Sequence, residues 1–594
     1  MKTNADSTTK VQIDDLKARA CSIARSFVSA SGDALTPQEQ EMLALGFVAV
    51  KRFSDLLLPS WERVQEAAGR SVDAEEADEL LIKASGLPYY NTSTMNLADI
   101  LQMEDGVLEG LVVYLGGFSK NVLDIVAGMQ LPEIVGKLDR EQLLSGALWI
   151  LRQKDMDLSA EAIGDKVFLE LFSEVIRFFE EEILNKEMLC RDWDMLSLMA
   201  EMLADGRKAP AKTPVFLYDM AMGTGCSLGL LKEKILRKSP KADVRCCGQD
   251  TDPYRYAIAM TYALAGRKDE YDYQLGNALS EDIFKGRTFD YCIAVPPLMK
   301  DWKKEEMEVE EEYRKEPDGR FSPGLPRISD SQMLFLLDGI YKLAPGGRMA
   351  IVQSYLTLEE AKKGAKANSI RRYIFGNDWV EAIVRMSASQ YKNKAEALCV
   401  FILNKDKPEE KKNKVQLIDA DKNIGKRRRV PVITPVSEYS DLILTAYRKY
   451  KNALYHGADK ITVSSRVVEL QDLGLWKVVV EHPQMHSGGW PLKRFGKIIA
   501  DPKKREVLQL PIRCSNEEIQ EFVNRTVRQN DPYAEIDWEK SEKTYVVDMD
   551  LPAEETGAVS AADPEINELR KQILSLEEDI SRKLKEFFDK EGSF

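Results

Sequence analysis

Histidine is the scarcest reactive side chain here: 594 residues hold three, His456, His482 and His486. That excludes a metal centre built from clustered imidazoles. His482 and His486 stand four apart, but Pro483 and Gly488-Gly489 make that stretch a poor helix, so both read as loop residues. No run of 18 or more apolar residues occurs, which leaves nothing to cross a membrane as a helix. The first residues, Met1-Lys2-Thr3-Asn4-Ala5-Asp6, lack the apolar stretch of a signal peptide. Eight cysteines are scattered, and the close pair Cys246-Cys247 falls in a strand pattern whose neighbours face opposite ways. No zinc-type spacing results, and a reducing, cytoplasmic setting is expected. Positive charge is short as well: 83 Lys and Arg against 97 Asp and Glu leave a net charge of −14. A chain that grips nucleic acid alone is usually basic, so any DNA contact must be local or shared with partner subunits.

What is present is apolar material in organised patterns. At 44% hydrophobic residues, a chain of this length can build three or four domains with real cores. Residues 1–184 read as helical: Leu169, Phe172, Ile176, Phe179 and Ile183 recur at steps of three and four, one helical face. Residues 185–405 alternate short apolar strands with helices and form an α/β domain. Residues 406–429 are charged and read as a linker or long hairpin. Residues 430–550 read as a mixed domain, and 551–594 as a tether followed by a helix.

Within the α/β segment, Val215-Phe216-Leu217-Tyr218 is an apolar strand ending in Asp219-Met220-Ala221-Met222-Gly223-Thr224-Gly225, with a helix from about Ser227 to Arg237. Glycines at such a turn let backbone amides approach a ligand, and the helix N-terminus favours an anionic group. The next strand ends at Gln249-Asp250, where an acid can hold ribose hydroxyls. Gly276-Asn277-Ala278-Leu279 comes next, placed to border an adenine ring. Phe289 to Ala294 is a further strand, ended by Val295-Pro296-Pro297-Leu298. Each motif alone also fits an ordinary turn of a doubly wound sheet; their order and spacing make the set specific.

In this order the motifs resemble the methyltransferase (M) subunit of type I restriction-modification systems, which are S-adenosylmethionine-dependent adenine DNA methyltransferases. Met42–Asp55, Pro88–Ser93 and Gly117–Val122 are similar to landmarks of that family's helical first domain. Asp330–Leu337, Leu343–Val352 and Asp531–Asp537 are similar to later ones. The resemblance implies an α/β fold: a Rossmann-like methyltransferase sheet, a helical N-terminal domain and a C-terminal coiled-coil-type helix. It implies cofactor contacts at Asp219, Gly223, Thr224, Gly225, Asp250 and Asn277, a catalytic loop at Val295, Pro296, Pro297 and Leu298, and no metal.

The departures carry as much weight. The family loop reads Asn-Pro-Pro-aromatic: the Asn carbonyl and the first proline carbonyl accept hydrogen bonds from the target amine, and the ring stacks on the flipped base. Val295 accepts nothing, and Leu298 offers no π face. The glycine motif has Met220 for proline, Cys226 for the last glycine and Ser227 for phenylalanine. The Phe-Thr-Pro that helps hold the methionine end of the cofactor is replaced by Asn185–Trp193. Together these imply weakened S-adenosylmethionine binding and impaired or lost adenine methylation. The chain is then expected to serve assembly or DNA engagement beside a specificity subunit, a second M-like subunit and DNA within the complex. Two other readings stay open: an active adenine methyltransferase subunit with an unusual loop, and a small-molecule or protein methyltransferase. The helical first domain and the terminal helix speak against the last.

Three further segments bear on partners. Lys426-Arg427-Arg428-Arg429, with Lys411, Lys412 and Lys414 upstream, is a phosphate-contact candidate or a solvated hairpin tip. Lys303–Glu312 is an acidic helical insertion after the Pro-Pro loop, either facing DNA, where it would repel phosphates, or a solvated flap. Ile566, Leu569, Ile573, Leu576, Ile580, Leu584 and Phe587 form one apolar seam flanked by charge. In the resembled family such a helix meets the specificity subunit; it also suits packing back on its own chain. Changing Leu576 and Ile580 together to Asp should release a partner subunit in co-purification while the rest stays folded, since each charge enters a buried seam. Unchanged co-purification would mean that the seam serves the chain itself.

Overall fold

The computed structural model of the chain describes residues 3–69, 74–183, 193–210, 212–266, 270–358, 367–386, 398–421, 424–427, 430–433, 436–457, 461–487, 489–494 and 497–549. The replacement for Phe-Thr-Pro up to Asp192, Arg428, Arg429, and the tether and seam helix of 551–594 lie outside the described residues.

The N-terminal region is helical, as its periodicity predicts. Helix Pro37–Leu57 opens with a capping box in which Thr36 and Glu39 exchange side-chain and backbone bonds, and Pro37 takes the first turn. It is apolar nearly all round and accordingly buried from Gln40 to Val50. Its fully buried Arg52 is tied to the Ile163 carbonyl at 3.0 Å and to Asp165 at 2.6 Å, holding the bundle to the start of helix Asp165–Phe178. The bundle core includes Ala257, Ile258, Leu264 and Ala265 of helix Pro253–Ala265, so the helical layer packs on the α/β layer. At Gly128 the two layers touch: a Cβ there would press into the Pro253 carbonyl oxygen.

The strands of the central sheet are β1 (Val215–Asp219), β2 (Val244–Asp250), β3 (Tyr271–Leu275), β4 (Phe289–Ala294), β5 (Leu343–Ser354), β6 (Val380–Met386), β7 (Leu398–Asn404) and β8 (Lys414–Asp419). A hairpin, β9 (Ile424–Arg427) and β10 (Val430–Ile433), follows, and then β11 (Ala453–His456) and β12 (Thr462–Glu469). The ten-stranded order is β3-β2-β1-β4-β5-β7-β6-β8-β12-β11. Strands β1 to β6 and β8 run parallel to one another, and β7 lies antiparallel between β5 and β6. The chain winds outward from β1 in one direction and from β4 in the other. Their junction is therefore the crevice where α/β sheets take ligands. Both faces are covered, so every residue of β6 and β7 is buried, Glu381 and Arg385 of β6 included.

The sheet does not stop at residue 405. Within the expected linker 406–429, β8 pairs parallel with β6, and Val415 to Asp419 are all buried. The expectation failed because charge masked a short apolar core of Val415, Leu417 and Ile418. The charges around it are locally paired: Lys407 with Asp378 at 2.5 Å, Lys411 with Glu381 at 2.9 Å and Arg385 with Asp419 at 2.8 Å. Strands β11 and β12, expected in the mixed segment, extend the same sheet. The rest of that segment forms a three-stranded antiparallel sheet of β13 (Gly474–Glu481), β16 (Glu506–Pro511) and β17 (Glu535–Tyr545), carrying helix Asn516–Thr526 on a small core. Between β13 and β16 sits the short hairpin β14 (Lys493–Arg494) and β15 (Lys497–Ile498).

On one face of the sheet lies a buried charge network. Arg320 donates to Asp338 at 2.8 Å and to both oxygens of Glu312 at 2.9 Å. Lys342 reaches the same Asp338, one turn along helix Gln332–Lys342, and Asp282 at 2.8 Å. Burial works against ionisation of Asp338, but the Lys342 and Arg320 charges prevail and keep its carboxyl below the usual range. Replacing Asp338 with Ala strands two buried cations and should cost about 3–5 kcal/mol of stability. Chemical denaturation checks this; a loss under about 1 kcal/mol would mean that Asp282 and Glu312 suffice.

Candidate cofactor and base site

The turn after β1 is knotted by its own residues. Asp219, buried at the strand end, accepts from the Ala221 N–H at 2.9 Å and from the Ser227 hydroxyl on the first turn of helix Cys226–Lys238. Gly223 and Gly225 take φ of 55° and 77°, the left-handed region where glycine is at ease. The Gly223 N–H donates to Asp250 Oδ2 at 2.8 Å, which joins the ends of β1 and β2. Asp250 Oδ1 accepts from the Asp252 N–H at 2.9 Å. Each oxygen of Asp250 thus keeps one lone pair for a hydroxyl. Gly225 has its own reason to lack a side chain: a Cβ would meet the Tyr273 hydroxyl at 3.3 Å.

Cys226 stands where helix and turn meet. Its sulfur lies 3.2 Å from Thr224 Oγ1. Burial pushes the thiol up, Thr224 pulls it down, and the charge of Glu180 adds to the rise. Glu180, itself fully buried, sits in the turn Phe179–Ile183 that continues helix Asp165–Phe178. Met222 is buried too, with its sulfur 2.5 Å from where a Cβ on Gly248 would stand.

The side expected to border an adenine is already engaged. Asn277 Oδ1 accepts from the Leu279 N–H at 3.0 Å, and its amide donates to Glu305 at 2.7 Å. Glu305 heads the acidic helix Glu306–Lys315. That insertion is docked rather than a solvated flap. Trp302 closes its neck, its N–H donating to the Ile328 carbonyl at 3.0 Å and its indole N–H to the Arg327 carbonyl at 2.8 Å. Val309 and Phe321 are fully buried. Arg320 donates to the Ala278 carbonyl at 2.6 Å and the Leu279 carbonyl at 3.1 Å, fixing the loop that carries Asn277.

The Pro-Pro loop leaves β4 beside β1, since Tyr218 pairs with Cys292. Asp219 therefore ends β1 level with Ile293, and Val295 leaves the neighbouring strand two residues further along. Val295 and Leu298 are half-buried and pack against the sheet's apolar core, Pro296 is buried and Pro297 exposed. Met299 turns the chain with φ of 55°, a conformation that a side chain makes costly. The crevice thus gathers Asp219, Gly223, Thr224, Gly225, Asp250 and the Pro-Pro loop, with Asn277 beyond β2.

Sequence reasoning missed Glu305, Arg320 and Glu180. Glu305 and Arg320 sit in an insertion whose composition reads as solvated. The signal for Arg320 was Asp338, a lone acid inside the apolar run Met333–Ile340 that needs a buried partner. Among the described residues no group of three or more His, Cys, Asp or Glu is arranged to hold a metal ion, and no helix is long and apolar enough to cross a membrane.

Burial pushes the Asp219 carboxyl up to about 7, against the pull of Ser227 and the Ala221 N–H and with the Asp250 charge adding to the rise. An unfolded Asp titrates at about 3.9, so between about pH 4 and pH 7 the folded state holds a proton that the unfolded state has lost. Stability from this group is therefore fully present below about pH 4 and is lost as pH rises through about 7. Relative to Asp219→Asn, the wild type should lose stability steadily across that window in urea midpoints taken at each pH. A difference that stays flat, or grows with pH, would show a carboxylate that is content to be charged.

The N-6 DNA Methylase family model matches residues 194–472, which is the stretch from the helix before β1 to just past β12. The type I restriction enzyme MjaIX methylase subunit of Methanocaldococcus jannaschii is 27% identical over 40% of this chain and 41% of its own length. The MjaVII methylase subunit of the same organism is 22% identical over 60% of this chain and 59% of its own length. The chain thus spans about two fifths to three fifths of the curated relatives it matches. The crystal structure of the type I restriction-modification system methyltransferase subunit from Streptococcus thermophilus superposes with a TM-score of 0.56 at 20% identity, covering 78% of this chain and 96% of that one, a likeness of fold. Sheet order, crevice and these matches agree: the chain resembles the methylase subunits of type I restriction enzymes and carries their methyltransferase-type α/β fold.

Proposed function

We propose that this chain is a methylase-type subunit of a type I DNA modification complex whose own adenine methylation is impaired or lost. One observation carries the reading. At the strand end where an amine-methylating site needs hydrogen-bond acceptors and a stacking ring, Val295 and Leu298 are apolar, half-buried and packed against the core.

The residues around β1 and β2 partly fit S-adenosylmethionine, which when bound supplies the methyl group. The Gly223–Gly225 turn brings backbone amides to the crevice, and Asp250 keeps one lone pair per oxygen for ribose hydroxyls. Cys226 puts a thiol where the helix would meet the ligand, and Asn277 has its amide on Glu305 at 2.7 Å, so adenine has to compete with an internal carboxylate. Weak binding follows from that balance. The acidic helix Glu306–Lys315 follows the Pro-Pro loop closely in sequence, and negative charge near that loop would oppose a phosphate backbone. A specificity subunit, a second M-like subunit and DNA are the partners in this reading.

The alternative is an active subunit with a weakened site, favoured by the intact geometry of Asp219, Gly223, Gly225 and Asp250. Loss of one positioned polar group typically lowers a rate by roughly two to three orders of magnitude. The proposal therefore expects no measurable methyladenine in DNA from cells expressing this chain with its neighbouring subunits and no intact Asn-Pro-Pro-aromatic gene. Val295→Asn with Leu298→Phe should restore little, because Cys226 and Glu305 remain. Modified-base sequencing decides: methyladenine at a defined motif, abolished by deleting Val295–Leu298, would establish the active reading instead.

A further inference from the structure

A stretch rich in positive charge on this net-negative chain lies between β13 and β16. Residues 482–505 hold Lys493, Arg494, Lys497, Lys503, Lys504 and Arg505 against a single acid, Asp501. The segment is built rather than loose. Gln484 and Leu492 exchange strand-type bonds with Ile499 and each other, all at 2.8 Å, and the Asp501 N–H donates to the His482 carbonyl at 2.7 Å. At the tip, the His486 N–H donates to the Trp490 carbonyl at 2.8 Å around Gly489, whose φ is 81°. This turn presents Trp490 69% exposed and Met485 42% exposed. The one acid is consumed locally, since the Asp501 carboxylate caps its own turn by accepting from the Lys503 N–H at 3.0 Å. At the base, Arg505 is neutralised by Glu481 at 2.7 Å, and His482 lies between Asp531 and Glu506. Lys493, Lys503 and Lys504 are exposed.

We propose that this projection is a DNA-contacting element: Lys493, Lys503 and Lys504 meet the phosphate backbone, and Trp490 packs against the sugar and base edges. It rests on the reading of the chain as a subunit of a DNA modification complex. A chain of net charge −14 needs a local electropositive footprint to approach DNA, and the exposed Lys493, Lys503 and Lys504 supply one. An indole held out by a laced backbone turn leaves a large apolar face in water, which stacked bases or sugars would cover. The element lies far along the chain from the Pro-Pro loop and requires nothing of its chemistry.

The test is fluorescence anisotropy of the full chain with a labelled duplex across a salt series. Lys493→Ala, Lys503→Ala and Lys504→Ala combined should flatten the slope of log K against log salt by about 2–3, since each phosphate no longer neutralised removes about 0.9 from it, and weaken binding roughly tenfold or more at low salt. Trp490→Ala should weaken binding severalfold with the slope unchanged. Circular dichroism and melting curves matching the wild type keep misfolding out of the comparison. A triple variant that binds like the wild type overturns this element and leaves the DNA-complex reading standing. A wild-type chain that binds no duplex even at low salt overturns both. Unchanged DNA binding with release of an acidic protein partner would make the projection a protein interface and overturn the proposal.

Discussion

One buried guanidinium holds the site side of this molecule together. Arg320 reaches Glu312 in the acidic insertion, Asp338 in the helix behind the sheet, and the carbonyls of Ala278 and Leu279 in the loop beyond β3. Those three elements are separate in the fold, and this side chain touches all of them. A guanidinium suits the task because its donors fan out in a fixed plane and it stays charged wherever it is buried. The surrounding carboxylates in turn tolerate burial because the cation is there. The docking of the insertion and the loop that carries Asn277 both rest in part on this one cation.

The crevice at the β1–β4 junction keeps the scaffold of a nucleoside site while its polar groups answer to one another. Asp219 serves Ser227 and Ala221, Asp250 serves Gly223 and Asp252, and Asn277 serves Leu279 and Glu305. Such internal satisfaction stabilises a turn without a ligand and lowers what a ligand can gain by entering. At the Pro-Pro loop the change goes further, because the Val295 and Leu298 side chains pack on the apolar core and bring no polar atom to the crevice.

Much of this was legible in the sequence, for definite reasons. Strands β1, β2 and β4 announce themselves as short apolar runs closed by Gly, Asp or Pro, and the order of those closures located the crevice. The helical face from Leu169 to Ile183 was visible as steps of three and four, with Phe172, Ile176 and Phe179 buried and Leu169 and Ile183 half-buried. What stayed hidden was long-range pairing of charge. β8 was read as linker because its cations were counted as solvated, whereas Lys411 is paired with Glu381, thirty positions back. Glu305 meets Asn277 across 28 residues, a relation that no local pattern encodes. The lone Asp338 inside an apolar helix was a readable sign of a buried cation, although not of which one.

Strand β7 lies between β5 and β6 but follows both in the chain. During synthesis, twelve-residue β5 emerges first and stands with one edge open until Leu398 to Asn404 have left the ribosome. At about 5–20 residues per second, the roughly forty residues in between take about 2–10 seconds, during which an apolar strand edge is exposed to any other nascent chain. Translation speed through residues 355–397 is thus part of the folding problem for this chain: synonymous codons there, which alter nothing in the finished molecule, set how long the β5 edge goes unpaired.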